Sequence, residues 1–272
     1  MHARPNGNAS LSDRTRIEAL PALRDNYIYV LWDAATRKAS VIDPGEAQPV
    51  IAFLRAHELQ LESILCTHHH NDHIGGVAAL CEAAGSPLRV VGSADDLARG
   101  RIRLQTEAAQ PGATLQVLGR PYDVLEVPGH TLGAVAYLGE GRLFSGDTLF
   151  LAGCGRMFEG HPEQMHRSLM QLAALAPSTE VYAGHEYTEA NLKFAIEVEP
   201  NNAAIAERAL KTSQLRARGL TTMPGTLAEE NATNPFLRCS APGPMQYAAM
   251  RDASAQTPAD VFRVLRACKD AF

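Results

Sequence analysis

The sequence predicts an α/β domain over residues 15–186 that is followed by a smaller helical segment over residues 187–272. Up to residue 186, short runs of β-branched, aromatic and aliphatic residues alternate with stretches whose apolar residues recur at helical spacing. From Tyr187 onward the helical spacing continues and no convincing strand is predicted. Residues 1–14 lack the apolar stretch of a secretory signal, and their composition predicts a disordered tail.

The first four predicted strands are YIYVLW (27–32), ASVID (39–43), SILCT (63–67) and LRVVG (88–92). Two predicted helices separate them. One covers residues 48–57, and the other opens at Gly75 and Gly76 and continues to residue 84, just before Gly85 and Pro87. Strands separated by helices in this way are typical of an α/β layer in which helices cover a sheet.

A second series of predicted strands covers residues 114–119, 122–129, 133–139, 142–147 and 180–185, with a helix at 162–174 before the last strand. Three further helices are predicted over residues 191–199, 203–218 and 258–271. These last helices define the C-terminal segment. It forms either an independent domain or an appendage packed on the first domain.

Bulk composition narrows the classes of function. The 272 residues carry a net charge of −5, which argues against nucleic acid as a partner because phosphate binding usually requires a basic excess. The mean hydropathy is −0.14 and no apolar run reaches about 18 residues, so no membrane span is predicted. The five cysteines form no Cys-x-x-Cys pair, which favours reduced thiols in a cytoplasmic protein. No self-complementary pattern is visible, and we expect a monomer.

The segment CTHHHNDHIGG (66–76) follows a predicted strand, precedes a predicted helix and contains metal-ligand residue types at close spacing. His68 and His70 are separated by one residue, so in extended backbone their side chains point the same way, whereas His69 should point away. Asp72 and His73 lie at the turn into the helix and can face a second point nearby. One histidine here would be read as a surface or capping residue, but four potential ligands in six residues favour a metal site.

Further ligands are expected from three residues that each follow a predicted strand. His130 follows LEVPG, Asp147 follows LFSG and His185 follows VYAG. Alone, Asp147 could cap a turn and His185 could cap a helix. Together they share one placement, the end of a strand, where distant segments converge most easily.

The ligand count suits two divalent ions that share a water molecule, as a catalytic site requires. Asp147, a carboxylate with two oxygens, can bridge the two ions. Asp72 and Asp147 are assigned as catalytic residues as well as ligands. The first ion would be held by His68, His70 and His130, and the second by Asp72, His73 and His185. The sequence therefore predicts a metal pair that activates water for hydrolysis.

These motifs resemble a known family. The runs THHHNDH, PGHT, SGDTLF and GHEY are similar to those of the metallo-β-lactamase superfamily. More specific segments resemble glyoxalase II, the hydroxyacylglutathione hydrolase family: DNYIYVL (25–31), AGCGRMFEG (152–160), HEYTEANLKFA (185–195), NPFLR (234–238) and RACKD (266–270). The resemblance covers residues 16–272.

The resemblance implies a four-layered αβ/βα sandwich with a C-terminal helical, substrate-binding domain. It implies hydrolysis of S-D-lactoylglutathione to glutathione and D-lactate, the second step of methylglyoxal detoxification. It also implies two divalent ions, zinc first, with iron and manganese as alternatives. By the same resemblance, glutathione is held by Arg156, Phe158, Tyr187, Arg266 and Lys269.

Two of these positions depart from the family's commonest pattern, because Arg156 stands where lysine is frequent and Phe158 where tyrosine is frequent. Arginine keeps the charge but changes the donor geometry, and phenylalanine loses a hydroxyl hydrogen bond. Without the resemblance, Arg266 and Lys269 would be read as a solvated helix face, and Tyr187 as core packing.

Several rival functions share the ligand pattern. A glutathione persulfide dioxygenase with one iron is the first, and the long helical C-terminal segment counts against it. A lactonase or β-lactamase is a weaker rival, because the basic residues expected to hold glutathione would have no purpose there. An RNA-processing role lacks the basic surface it would need, and a purely structural metal site would not leave open coordination positions.

Overall fold

The computed structural model describes residues 15–272, and the tail predicted over residues 1–14 lies outside the described residues. The strands, numbered in chain order, are β1 Arg16–Ala22, β2 Asn26–Asp33, β3 Lys38–Ile42, β4 Gln60–Leu65, β5 Arg89–Ser93, β6 Glu107–Ala109, β7 Thr114–Val117, β8 Arg120–Glu126, β9 Val135–Gly139, β10 Arg142–Gly146, β11 Leu149–Phe150, β12 Gly153–Cys154, β13 Glu180–Ala183 and β14 Gly225–Thr226. The helices are α1 Gln48–Ala56, α2 Asn71–Ile74, α3 Val77–Ala84, α4 Ala94–Arg99, α5 Pro162–Ala173, α6 Thr188–Val198, α7 Ala203–Ala217, α8 Leu227–Thr233, α9 Pro242–Ala249 and α10 Pro258–Ala271.

Within residues 15–272 the strands form two six-stranded sheets and a short β11–β12 hairpin. The first sheet has the order β1-β2-β3-β4-β5-β6, and its strands are parallel from β3 onward. The second has the order β14-β13-β10-β9-β8-β7 and is antiparallel apart from the parallel pair β10–β13. Strands β8, β10 and β13 therefore run in one direction, and their C-terminal ends lie at the same edge of the sheet.

Alternating burial along β2 shows how the layers are built. Ile28 and Val30 pack on one face with residues of α1 and α3, whereas Tyr29 and Leu31 pack on the other face with residues of the second sheet. The ring of Tyr29 contacts that of Phe144 edge-on, with 5.5 Å between ring centroids. Each such side chain stabilises the fold by roughly 1.5–3 kcal/mol when fully buried. A shift of one residue in register would exchange the two faces, so the pairing is strongly specified.

The outer side of the second sheet is covered by helices. α5 contributes Met165, Leu169 and Leu172 to the main core, and α10 packs against α5. The succession of helices, two facing sheets and helices, followed by a helical C-terminal segment, confirms the predicted fold class. No helix in residues 15–272 has the length and apolar character needed to cross a membrane.

A buried polar cluster joins the C-terminal segment to the β11–β12 hairpin. Glu230 of α8 is completely buried, and its carboxylate pairs with Arg208 of α7. The same carboxylate accepts hydrogen bonds from the backbone N–H of Ala152 (2.8 Å) and from the side chain of Asn234 (2.9 Å). Asn234 also donates to the carbonyl oxygens of Phe150 and Gly153 at 3.3 and 2.9 Å. The hairpin is thus anchored by side chains of the C-terminal segment.

Parts of the fold differ from the sequence prediction. β14 lies in the C-terminal segment, where no strand is predicted. It has two residues, which pair with Glu180 and Val181 of β13 through the backbone, and so offers no alternating pattern to recognise. The helix predicted from Gly75 is preceded by the one-turn helix α2, and α6 begins at Thr188, earlier than predicted. The sequence patterns also do not predict β1 or the shorter elements β6, β11, β12, α4, α8 and α9.

Candidate active site

The predicted ligand residues converge where the two sheets meet. The segment 66–70 leaves the end of β4, and α2 follows it at once. The other three lie past the C-terminal ends of β8, β10 and β13, which share one edge of the second sheet. The structure brings together all seven side chains: His68, His70, Asp72, His73, His130, Asp147 and His185.

Three histidines form the first group of potential ligands. One nitrogen each of His68, His70 and His130 lies within 4.8 Å of the other two. The Nε2 atom of His130 is 2.9 Å from Nδ1 of His70, and the ring centroids of the three residues are 4.7–4.8 Å apart. Nitrogens at this spacing can surround one small cation.

Asp72, His73 and His185 form the second group, again with one ligand atom each inside 4.8 Å. The Oδ2 atom of Asp72 is 3.4 Å from Nε2 of His185 and 3.5 Å from Nε2 of His73. This grouping is the one predicted from the sequence.

Asp147 lies between the two groups. Its Oδ1 atom is 3.3 Å from Nε2 of His73, and its Oδ2 atom is 3.3 Å from Nε2 of His185. The same Oδ2 is 3.5 Å from Nε2 of His130, which belongs to the first group. One carboxylate therefore faces ligands of both groups, as a bridging residue must.

The electrostatics of the centre fit a bound cation. Burial lowers the pKa of His68, of His130 and of His70, the last to about 4, so these rings are neutral and keep a free lone pair at neutral pH. Burial opposes charge on His73 and Asp147 too, but their mutual attraction holds the pKa of His73 well above and that of Asp147 well below its usual value. A proton between buried groups of this kind occupies a place that a metal ion can take.

Two further observations support the fit. The Nε2 atom of His68 is buried and has no hydrogen-bond partner, and Nε2 of His73 and Oδ1 of Asp147 face each other at 3.3 Å without forming a well-aligned hydrogen bond, which is costly unless another group satisfies these atoms. Gly184 keeps the space around them open, because a Cβ there would fall 2.5 Å from Oδ1 of Asp147 and 2.7 Å from Cε1 of His73. The donor set and the space suit a divalent ion.

The buried Asp43, which sequence reasoning missed, fixes the orientation of the ligands. Its carboxylate lies 3.0 Å from Nδ1 of His73 and accepts hydrogen bonds at 2.7 Å from both the backbone N–H and the hydroxyl of Thr67. That hydroxyl in turn lies 3.1 Å from Nδ1 of His68. Such contacts at Nδ1 direct Nε2 towards the centre. Asp43 is the last residue of the predicted strand ASVID. A carboxylate at the end of a strand is therefore the sequence signal that could have identified it.

His69 points away from the centre. Its Nδ1 atom lies 3.0 Å from the buried carboxylate of Asp96, and its Nε2 atom lies 3.6 Å from that of Glu159. Glu159 also pairs with Arg101 and accepts a hydrogen bond from the backbone N–H of Leu132. His69 thus joins a polar cluster beside the ligands instead of entering either group.

The ligand groups open into a cleft of about 700 Å³ that is lined by all five residues expected to hold glutathione. Phe158 is 65% exposed, and its ring contacts those of His70 and His130 edge-on. On the opposite side the ring of Tyr187 stacks on His185, at a centroid distance of 4.8 Å and an interplanar angle of 5°. Aromatic side chains therefore flank the passage from the cleft to the ligands.

The three basic side chains that line the cleft differ in their exposure and in their partners. Arg156 is exposed and lies 3.4 Å from the carboxylate of Asp270. Lys269 is half-buried and donates to the carbonyl oxygen of Ala190 at 3.0 Å. Arg266 is buried, bonded to the carbonyl oxygen of Cys154 at 2.8 Å and paired with Asp270 at 2.9 Å. Arg156 and Lys269 are thus more accessible than Arg266, although all three line the cleft.

Comparison with known proteins agrees with this arrangement. The family model described as "Metallo-beta-lactamase superfamily" matches residues 22–185, and the one described as "Hydroxyacylglutathione hydrolase C-terminus" matches residues 186–272. Two curated relatives named hydroxyacylglutathione hydrolase, from Pseudomonas paraeruginosa and Alkalilimnicola ehrlichii, are each 50% identical to the chain. Each alignment covers 94% of this chain and 99% of the relative.

Solved structures show similar folds. ETHE1 from Myxococcus xanthus has a TM-score of 0.63 at 26% identity, over 94% of this chain and 98% of that one. TTHA1623, solved in a di-iron-bound form, has a TM-score of 0.58 at 27% identity, over 82% of this chain and 100% of that one. Near-complete alignment to relatives at 50% identity, together with matches to both family models, establishes that the chain belongs to the hydroxyacylglutathione hydrolase family of the metallo-beta-lactamase superfamily.

Proposed function

We propose that the protein hydrolyses thioesters of glutathione with 2-hydroxy acids, S-D-lactoylglutathione in particular, to glutathione and the free acid. The observation that carries this proposal is that the two ligand groups line a cleft whose walls come from residues 150–158 and from the C-terminal segment. The relatives at 50% identity are named for this reaction. With D-lactate as the product, the reaction is the second step of methylglyoxal detoxification.

The proposed centre holds two divalent ions. His68, His70 and His130 would hold one ion, and Asp72, His73 and His185 the other, with Asp147 shared between them. Bound there, the ions would supply Lewis acidity that lowers the pKa of a coordinated water and polarises a carbonyl oxygen. We propose zinc, which suits imidazole and carboxylate ligands, although the similar TTHA1623 was solved with iron.

The cleft residues orient the thioester. Glutathione carries carboxylates, and Arg156 and Lys269 offer them accessible positive charges. The rings of Phe158 and Tyr187 contact those of His130 and His185 and would hold the reacting carbonyl against the centre. The leaving thiol has a pKa near 8.5, so expulsion of the thiolate requires little help from a general acid. This accounts for hydrolysis without a Ser-His-Asp or Cys-His arrangement.

The free thiols of Cys66, Cys81, Cys154, Cys239 and Cys268 suit a reducing compartment. We therefore propose that the protein acts in the cytoplasm. We also propose that the protein acts as a monomer, and the site needs no partner subunit to be complete because one chain supplies the proposed ligands and cleft residues.

A paired assay tests the proposed function. Hydrolysis of S-D-lactoylglutathione is measured beside that of a simple thioester without the glutathione moiety, and the metal content of the same sample is determined. We expect kcat/KM to be at least about 10-fold higher for the glutathione thioester, since one charge-assisted contact is worth about 1.5–3 kcal/mol. Equal rates for both thioesters would contradict glutathione recognition, and full activity in metal-free protein would contradict the metal centre.

Oxidation of glutathione persulfide is the rival reaction, and it consumes oxygen. The match of residues 186–272 to the C-terminal model of the hydrolase family favours hydrolysis. We therefore expect no oxygen uptake with glutathione persulfide, measured with an oxygen electrode under the conditions of the paired assay. Hydrolysis of a lactone or a β-lactam, followed by absorbance, would reveal the remaining rival enzymes.

A further inference from the structure

A short motif, Asp25-Asn26-Tyr27, lies where the turn after β1 leads into β2, and the proposed reaction does not use it. Its backbone is hydrogen-bonded to the segment that carries His185. The N–H of Tyr27 donates to the carbonyl oxygen of Gly184 at 2.9 Å, and the N–H of Glu186 donates to that of Asp25 at 2.8 Å. Asn26 and His185 form a β-bridge between these two bonds. The motif is therefore held against one potential ligand by the main chain.

The side chains of the motif reach two ligands of the second group. The carboxylate of Asp25 lies 2.8 Å from Nδ1 of His185. The amide of Asn26 donates to Oδ2 of Asp72 at 3.0 Å and to the backbone carbonyl oxygen of Asp72 at 3.2 Å. An amide can donate to a carboxylate oxygen while the carboxylate keeps lone pairs for a cation. Two adjacent residues thus orient two of the three ligands in this group.

Asp72 is the ligand that most needs such support. Its side chain is 40% exposed, whereas those of His73 and His185 are 1% and 6% exposed, so packing alone does not fix it. It lies in the one-turn helix α2, whose N-cap residue makes no side-chain capping bond. The amide of Asn26, which is itself almost fully buried, holds the Asp72 carboxylate from outside the ligand group.

The first group is oriented in another way. The Nδ1 atom of His130 lies 2.8 Å from the backbone carbonyl oxygen of Arg156, and that of His68 lies 3.1 Å from the Thr67 hydroxyl. Both contacts come from outside the motif 25–27. A change in the motif should therefore alter the orientation of ligands in the second group and leave the first group unchanged.

We propose that Asp25 and Asn26 are positioning residues that set the affinity of the second ion selectively, an inference that rests on the proposed two-ion centre. The variants Asn26→Ala and Asp25→Ala remove the two contacts. Asp25→Asn keeps an oxygen that can accept from His185 but removes the charge. Asn231→Ala, the same change at an exposed asparagine of α8, serves as the matched control.

The test is a stepwise metal titration of metal-free protein. Zinc binding is followed against a competing chelator, and cobalt binding by its visible absorption. Partners that orient a ligand typically contribute about 10–100-fold to metal affinity, so the second ion should bind that much more weakly to Asn26→Ala and Asp25→Ala. The first ion should bind as in the wild type, which also reports that the variants fold. Asp25→Asn should recover part of the loss, and Asn231→Ala should match the wild type.

The outcomes separate this inference from the proposed function. If the wild type binds two ions and both bind the variants unchanged, or if both are weakened equally, selective positioning is overturned while the two-ion centre stands. If the wild type binds fewer than two ions, the two-ion centre falls, and this inference falls with it. The melting temperature of the metal-free variants is measured as well. If Asp25 and Asn26 served folding alone, the variants would melt at a lower temperature, but the affinity of the second ion would not fall relative to that of the first.

Discussion

Replacing Glu230 with alanine should destabilise the protein strongly, although the residue lies outside the proposed metal centre. The carboxylate is completely buried, pairs with Arg208 and accepts hydrogen bonds from Ala152 and Asn234. The variant would leave the guanidinium of Arg208, which is 8% exposed, without its counter-charge. It would also leave the N–H of Ala152 and the amide of Asn234 with one acceptor fewer.

The expected magnitude follows from these contacts. Breaking a buried ion pair by removing one partner costs about 3–5 kcal/mol, because the other charge stays buried. Each buried donor left unsatisfied adds about 1–3 kcal/mol, although such effects overlap. We therefore expect a loss of about 5 kcal/mol. At roughly 2–4 °C per kcal/mol for a chain of this size, the melting temperature should fall by about 10–20 °C.

Circular dichroism during heating and during urea unfolding measures both quantities. Lys211→Ala is the control, because Lys211 pairs with the neighbouring Glu229 at the surface, at 3.5 Å, and such pairs contribute at most about 1 kcal/mol. Glu230→Gln should lie between the control and Glu230→Ala, since its amide oxygen still accepts hydrogen bonds. A fall of less than about 3 °C in Glu230→Ala would refute the reasoning, because the buried charge of Arg208 would then be tolerated without a partner.

Three further predictions concern the proposed active site. Asp147→Ala should lower the metal content and reduce kcat/KM for S-D-lactoylglutathione by more than about 100-fold, since loss of a partner that merely orients a ligand already costs about 10–100-fold. If the variant keeps both ions, Asp147 does not bridge them. Phe158→Tyr should lower KM by about 2–10-fold at unchanged kcat, because one added hydrogen bond is worth about 0.5–1.5 kcal/mol, and an unchanged KM would mean that the hydroxyl does not reach glutathione. Burial lowers the pKa of Lys269 to about 8, so its cationic form is lost as the pH rises past that value. KM should therefore rise by about 10-fold between about pH 7 and about pH 9, and Lys269→Ala should lack this rise whereas Lys193→Ala, at an exposed position of α6, should keep it.

The sheet strands and the ligand groups were predictable because both follow from local patterns. Alternating or continuous apolar runs mark β2, β4, β8, β10 and β13, and each candidate ligand lies at or beyond the end of such a run. Asp147, for example, directly follows β10, and His185 lies two residues beyond β13. Strands that run in one direction bring their ends together, so the shared placement of the ligands at strand ends already indicated proximity in space.

The residues that orient the ligands could not be predicted in the same way. Asp43 and Asn26 act on side chains 30 and 46 residues away, and no local spacing connects them. The short helices α8 and α9 and the two-residue strand β14 have too few turns or alternations for a periodic pattern. They form because tertiary contacts stabilise them, as the buried carboxylate of Glu230 shows for α8.

The anchoring of the β11–β12 hairpin limits which regions can be exchanged between members of this family. The two family models meet between residues 185 and 186, yet Asn234 and Glu230 hold a hairpin that belongs to the first matched region. β14 likewise completes the second sheet from beyond that point. A chimaera that joined residues 22–185 of this chain to the C-terminal region of a distant relative would separate the hairpin from the side chains that fit it. A transplanted C-terminal region should therefore be accompanied by residues 148–156, which its side chains hold.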